Sequence, residues 1–94
     1  MNFTERQSEI ASRINGAVEK IAQKAKTREA MDEALIAMMP AHMGGFKHLL
    51  DSLEPGGMDR LCEEFPGFYQ FAQMMERIAR GCRDGLFDDI IKRS

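Results

Sequence analysis

The stretch that decides the fold runs Phe65-Pro66-Gly67-Phe68-Tyr69-Gln70-Phe71-Ala72-Gln73-Met74-Met75-Glu76-Arg77-Ile78-Ala79-Arg80-Gly81-Cys82-Arg83-Asp84-Gly85. Pro66 disfavours the α region at Phe65 and so closes the helix before it. It also suits the first turn of a new helix, where its missing N–H loses no intrahelical partner. From there Phe68, Phe71, Met75, Ile78 and Cys82 recur at three- and four-residue steps, one apolar stripe facing a core. Tyr69, Gln73, Arg77, Arg80 and Arg83 fall on the polar half, and Met74 falls toward the edge of the stripe. Gly85 is a natural stop, because a C′ residue adopts the left-handed conformation that glycine tolerates. A long amphipathic helix over 66–84 is predicted. Of the aromatic residues at its start, Phe65, Phe68 and Phe71 read as core and Tyr69 as the outward one.

Upstream, Glu54-Pro55-Gly56-Gly57 is the strongest turn signal in the chain. It leads into Met58, Leu61, Cys62 and Phe65, which have helical spacing. Before it, Phe46, Leu49, Leu50 and Leu53 predict a helix of two turns, set off by a break at Gly44-Gly45. Pro40 is expected to end or kink another helix. That helix starts at Thr27, a residue able to accept from free N–H groups, with Glu29 in the first turn. Its main face is Met31, Ala34, Leu35, Met38 and Met39, while Ala30, Ile36 and Ala37 spread apolarity round the circumference. A helix apolar nearly all round is expected to be covered on two sides. At the N-terminus Thr4 and Gln7 form a capping-box pair. Ile10, Ile14, Ala17, Val18, Ile21 and Ala25 then trace one face of a helix over about 5–26. Phe87, Ile90 and Ile91 suggest a last short turn folding back on the body.

No segment alternates with period two for long enough to argue a strand. The expected fold is all-α: a compact single-domain bundle of five or six helices spanning 1–94. Two of these are long, about 5–26 and 66–84, with shorter helices between.

Ninety-four residues, 44% hydrophobic and 30% charged, suit one soluble domain. The formal charge of −2 is too small to define a partner by field alone. Two cysteines are too few for a disulfide framework. Residues 1–6 lack an apolar signal region, and no apolar run approaches the roughly 20 residues that span a bilayer. A cytoplasmic protein with reduced thiols, away from membranes, is expected.

The chemistry-bearing residues do not assemble into a signature. His42, His48, Cys62 and Cys82 lack the short paired spacings of structural zinc sites, so no metal is expected. The doublets Glu63-Glu64 and Asp88-Asp89 point about 100° apart on a helix, which marks a solvated face rather than an acid–base pair. Neither Gly44-Gly45 nor Gly56-Gly57 resembles a phosphate-cradling loop, so no cofactor is expected. The reading is of a protein without catalytic residues.

Two surfaces remain. Arg77, Arg80 and Arg83 lie with Tyr69 and Gln73 on the polar side of the last helix, opposed by Glu76 alone. Such a stripe suits a phosphate backbone, and the plainer reading is a solvated face pairing with acidic neighbours such as Glu63, Glu64, Asp84 or Asp88. Nucleic acid is the weaker alternative, because the helix over 58–65 that a helix-turn-helix would insert carries Arg60 against Asp59, Glu63 and Glu64. Methionine is the second feature: Met38, Met39 and Met43 cannot share one narrow core stripe, and methionine also coats adaptable binding surfaces. Met38, Met39, Met43, Tyr69, Gln73, Arg77 and Arg80 are therefore the candidate partner-binding residues. The expected function is regulatory contact with another protein, as an inhibitor, adaptor or regulatory subunit, with homodimerisation through the methionine face as one form. Small acidic regulators carried by phages and mobile elements offer an analogy of size and charge only.

Overall fold

Thr4 opens the first helix through the predicted reciprocal cap. The computed structural model of the chain describes residues 2–84, with the backbone alone for 82–84. In it the Gln7 N–H donates to Thr4 Oγ1 at 3.1 Å, and the Thr4 N–H donates to Gln7 Oε1 at 3.0 Å. Helix α1 spans Glu5–Lys24 and buries Ile10, Ala11, Ile14 and Val18. Thr27 caps α2, Arg28–Ser52, by accepting from the Ala30 N–H at 3.1 Å. Gly56, with φ +84°, supplies the left-handed residue that turns the chain into α3, Gly57–Glu64. Phe65 is extended, as a residue before proline should be, and α4 follows over Pro66–Asp84. Phe65 also accepts the Tyr69 N–H at 3.0 Å, so it closes one helix and opens the next.

The described residues thus hold four helices, not five or six, and three of them are long. The difference lies in α2, which runs unbroken through Pro40 and Gly44-Gly45 where two helices were expected. The cause is phase. Leu35, Met39, His42, Phe46, Leu49 and Leu53 keep three- and four-residue spacing across both breakers, so all lie on one face of one helix. Leu35, Met39, Phe46 and Leu49 are buried, and His42 sets its ring edge-on to Phe71 at 6.3 Å. Burying Phe46 and Leu49, at about 1.5–3 kcal/mol each, offsets the roughly 3 kcal/mol that an interior proline costs. Pro40 itself faces solvent. The expected turn at Phe87–Ile91, the stop at Gly85 and the side chains of Cys82 and Arg83 lie outside the described residues.

One core cluster draws on all four helices: Ile14 and Val18 from α1, Leu35 and Leu49 from α2, Leu61 from α3, and Phe68 and Phe71 from α4. Contacts fix the helix directions. Phe46 packs on Phe68, His42 on Phe71, and Asp32 meets Arg77, so α4 runs opposite to α2. Gln7 meets Ser52 and Ile10 meets Gly45, so α1 also runs opposite to α2.

Helix α1 holds the ends of two neighbours by side-chain hydrogen bonds. Buried Gln7 donates from Nε2 to the Ser52 carbonyl at 3.2 Å and to Ser52 Oγ at 3.0 Å, at the C-terminus of α2. Asn15 Oδ1 accepts the Gly67 N–H at 2.7 Å, in the first turn of α4. A Cβ at Gly67 would stand 2.8 Å from the Asn15 carbonyl oxygen, so only glycine permits this approach. Gly67, Met74 and Gly81, spaced by seven, are all buried. The inward face of α4 is consequently rotated toward Met74, which is 4% exposed, while Met75 is half-buried. That reverses the order expected from the sequence, because glycines mark a contact line without adding to an apolar pattern.

Replacing Gln7 or Asn15 with alanine should each lower unfolding free energy by about 1–2 kcal/mol, through the loss of bonds at helix ends. The two losses should add in the double variant, since the sites share no partner. Urea denaturation followed by circular dichroism measures both. Gly44 has nothing within 4 Å of a built Cβ, so Gly44→Ala should raise stability by about 0.5–1 kcal/mol, whereas Gly67→Ala should lower it.

Candidate functional site

Gln73, Arg77 and Arg80 come together as expected, and the structure adds what faces them. Between the first turns of α2 and the middle of α4 lies an open cleft of about 320 Å³, lined by Arg28, Met31, Asp32, Leu35, Gln70, Gln73, Met74 and Arg77. It continues along Arg28, Gln73, Glu76, Arg77 and Arg80 as a second hollow of about 370 Å³. Met31, Leu35 and Met74 make its floor, and guanidinium and amide groups make its rim. Arg77 reaches Asp32 across the helix pair at 3.8 Å, and Arg80 pairs with Glu76 one turn before it. Arg28 was not among the candidates. Nothing in its local sequence marks it, since it joins the other arginines only through the antiparallel packing of α2 on α4.

Tyr69 stands one turn before this group. It is 46% exposed, and its hydroxyl accepts from Gln73 Nε2 at 2.7 Å. Its ring borders a different, shallow hollow with Asp59, Cys62 and Glu63. Glu63 and Glu64 sit on α3, where Glu64 faces Arg60 at 3.9 Å.

The methionines do not form one patch. Met39 is 7% exposed and belongs to the core, and Met38 is half-buried against it. Met43 is 45% exposed, with Leu50, at 58%, two turns further along α2. Leu50 therefore leaves the apolar face assigned to it. The expectation that the helix from Thr27 to Pro40 is covered on two sides is also corrected: Ala30, Ala37 and Pro40 are exposed, and the open face continues through Ala41, Met43, Gly44, Lys47 and Leu50.

Cys62 is half-buried against the core, and burial pushes its thiol above the ordinary range, with the charge of Asp59 adding to the shift. Both effects disfavour the thiolate, the reactive form. Among the described residues no three His, Cys, Asp or Glu side chains converge as metal ligands, and no helix is long and apolar enough to cross a membrane. Comparison with family models, curated proteins and solved structures gives no match to this chain.

In a Cys82→Ser chain, Cys62 should react with iodoacetamide at pH 8 more slowly than free cysteine, as mass spectrometry over time will show. Arg77→Ala should change unfolding free energy by less than about 1 kcal/mol, since its ion pair is solvent-exposed and loose; urea titration checks this.

Proposed function

We propose that this chain is a small non-enzymatic regulatory protein, an inhibitor, adaptor or regulatory subunit, that works by protein–protein contact through the outer face of α2. One observation carries the reading. From Ala37 to Leu50 the exposed residues of α2 include a single charge, Lys47. On α1, by contrast, exposed positions hold Glu5, Arg6, Glu9, Arg13, Glu19, Lys20 and Lys24. Interfaces are depleted of charge at their centres and enriched in methionine, whereas a helix that meets only water has no use for that composition. Small side chains at 37, 40, 41 and 44 would let a partner helix come close, and Met43 can repack against it. A second copy of the chain is one such partner. A phage- or mobile-element-type inhibitor of a host complex fits the same size and charge, by analogy.

Nucleic acid binding through the α4 arginines is the alternative. It is less favoured, because Asp32 and Glu76 lie beside those arginines and would repel the repeating charge of a phosphate backbone.

The test is capture from the native host with the tagged full chain, set beside sedimentation of the purified protein. Met43→Glu/Leu50→Glu should keep its helical circular dichroism and stability within about 0.5 kcal/mol. It should lose the captured partner, or the self-association, by at least tenfold. A double variant that binds as the parent does refutes the role of this face. A chain that sediments as a monomer and captures nothing refutes the reading as a whole.

A further inference from the structure

The geometry points to the α2–α4 cleft as a docking groove for a short acidic, amphipathic peptide segment of a partner protein. This rests on the reading of the chain as a protein-binding module, but it uses a surface apart from the outer face of α2.

Three features select that chemistry. The floor is apolar, made by Met31, Leu35 and Met74, so it favours side chains that shed water. The rim carries Arg28, Arg77 and Arg80 against Asp32 and Glu76, a local positive excess on a chain of net charge −2. The arginines also have capacity left. Arg77 stands 3.8 Å from Asp32, well beyond the roughly 2.7–2.9 Å of a charge-assisted hydrogen bond. Arg28 has no ion pair among the described residues. A guanidinium offers five N–H donors, so one carboxylate does not exhaust it.

Size and shape favour a peptide over a small carboxylate. From Gln70 to Arg80 the groove follows α4 for about 15 Å at 1.5 Å per residue. That length takes four or five extended residues. A phosphate backbone would meet the same arginines but would leave the methionine floor unused, and its repeating charge would meet Asp32 and Glu76. Two apolar side chains beside a pair of carboxylates satisfy floor and rim together. The chain's own Leu86-Phe87-Asp88-Asp89-Ile90-Ile91 has this composition and lies outside the described residues, so it is the competing occupant that the experiment must separate.

A random 12-residue peptide library is selected on the immobilised full chain and, in parallel, on three variants: Arg28→Gln/Arg77→Gln/Arg80→Gln, Met43→Glu/Leu50→Glu, and Asp88→Lys/Asp89→Lys. Enriched peptides should carry paired acidic residues next to Leu, Ile, Met or Phe. By fluorescence anisotropy the best of them should bind the arginine variant at least tenfold more weakly than the parent. It should bind the Met43/Leu50 variant unchanged, which separates failure of this groove from failure of the α2 face. Affinity should fall severalfold between 50 and 300 mM salt. Enrichment without acidic residues, or equal binding to the arginine variant, overturns the proposal. Enrichment confined to the Asp88/Asp89 variant overturns it in favour of the chain's own segment. Tighter arginine-dependent binding of a 12-nucleotide single strand than of any selected peptide overturns it in favour of phosphate.

Discussion

Asn15 and Gly67 touch so closely that neither helix can shift without the other. The first turn of α4 begins with a proline, so Gly67 carries the earliest N–H that needs a partner, and Asn15 Oδ1 supplies it from 52 residues away. The absence of a Cβ at Gly67 brings the α4 backbone against that of α1. Once that crossing is set, Phe68 and Phe71 have one place to go, between α1 and α2, where they meet Phe46 and His42. Gln7, two turns earlier in α1, repeats the arrangement by holding the last turn of α2. Burial of the apolar core, aliphatic and aromatic together, favours collapse, but these two polar contacts decide which packing receives it. A buried N–H or carbonyl left unmet in a shifted arrangement would cost about 1–3 kcal/mol.

The sequence made α1, α3 and α4 legible because their signals are local. Thr4 and Gln7 are three residues apart, and Phe65-Pro66 fixes a boundary by steric exclusion between neighbours. Helix α2 departs from its local signals because local and non-local signals conflict within it. Pro40 and Gly44-Gly45 argue for breaks at a cost of a few kcal/mol, and that cost is real in an isolated peptide. The competing signal was also present, since Leu35, Met39, His42, Phe46, Leu49 and Leu53 hold one phase across both breakers. Its weight depends on how much of that face is buried, and burial is a property of the whole chain. Met74 and Met75 were exchanged for a related reason. An apolar pattern counts large side chains, whereas the close approach on α4 is at Gly67, and Gly81 is buried on the same side.

For the candidate surfaces the division is similar. Tyr69, Gln73, Arg77 and Arg80 could be placed on one side of α4 from spacing alone, and they lie there. What opposes them could not be placed, because Arg28 and Asp32 reach the cleft through antiparallel packing of helices about forty residues apart. The methionines separated once α2 became continuous. A break at Gly44-Gly45 would have left the orientation of Met43 undetermined, whereas an unbroken helix turns it to solvent and turns Met39 to the core.

The glycines carry a further implication for the outer face of α2. Gly45 and Gly67 are explained within the chain, since a Cβ would crowd Ile10 at one and Asn15 at the other. Gly44 is not, since it sits in the interior of a helix, in open space, where alanine would be worth about 0.5–1 kcal/mol more. Its neighbours along the same side are Ala37, Pro40, Ala41, Met43 and Lys47, all exposed. Gly16 on α1 is equally uncrowded, but it is half-buried and flanked by charged turns, so composition sets Gly44 apart more than the absence of contact does. A helix that tolerates a proline and a glycine on its solvent side, and places almost no charge there, gives up solubility and intrinsic helix stability together. In the function proposed above, both concessions are offset by a second surface that approaches the backbone closely and removes Met43 and Leu50 from water.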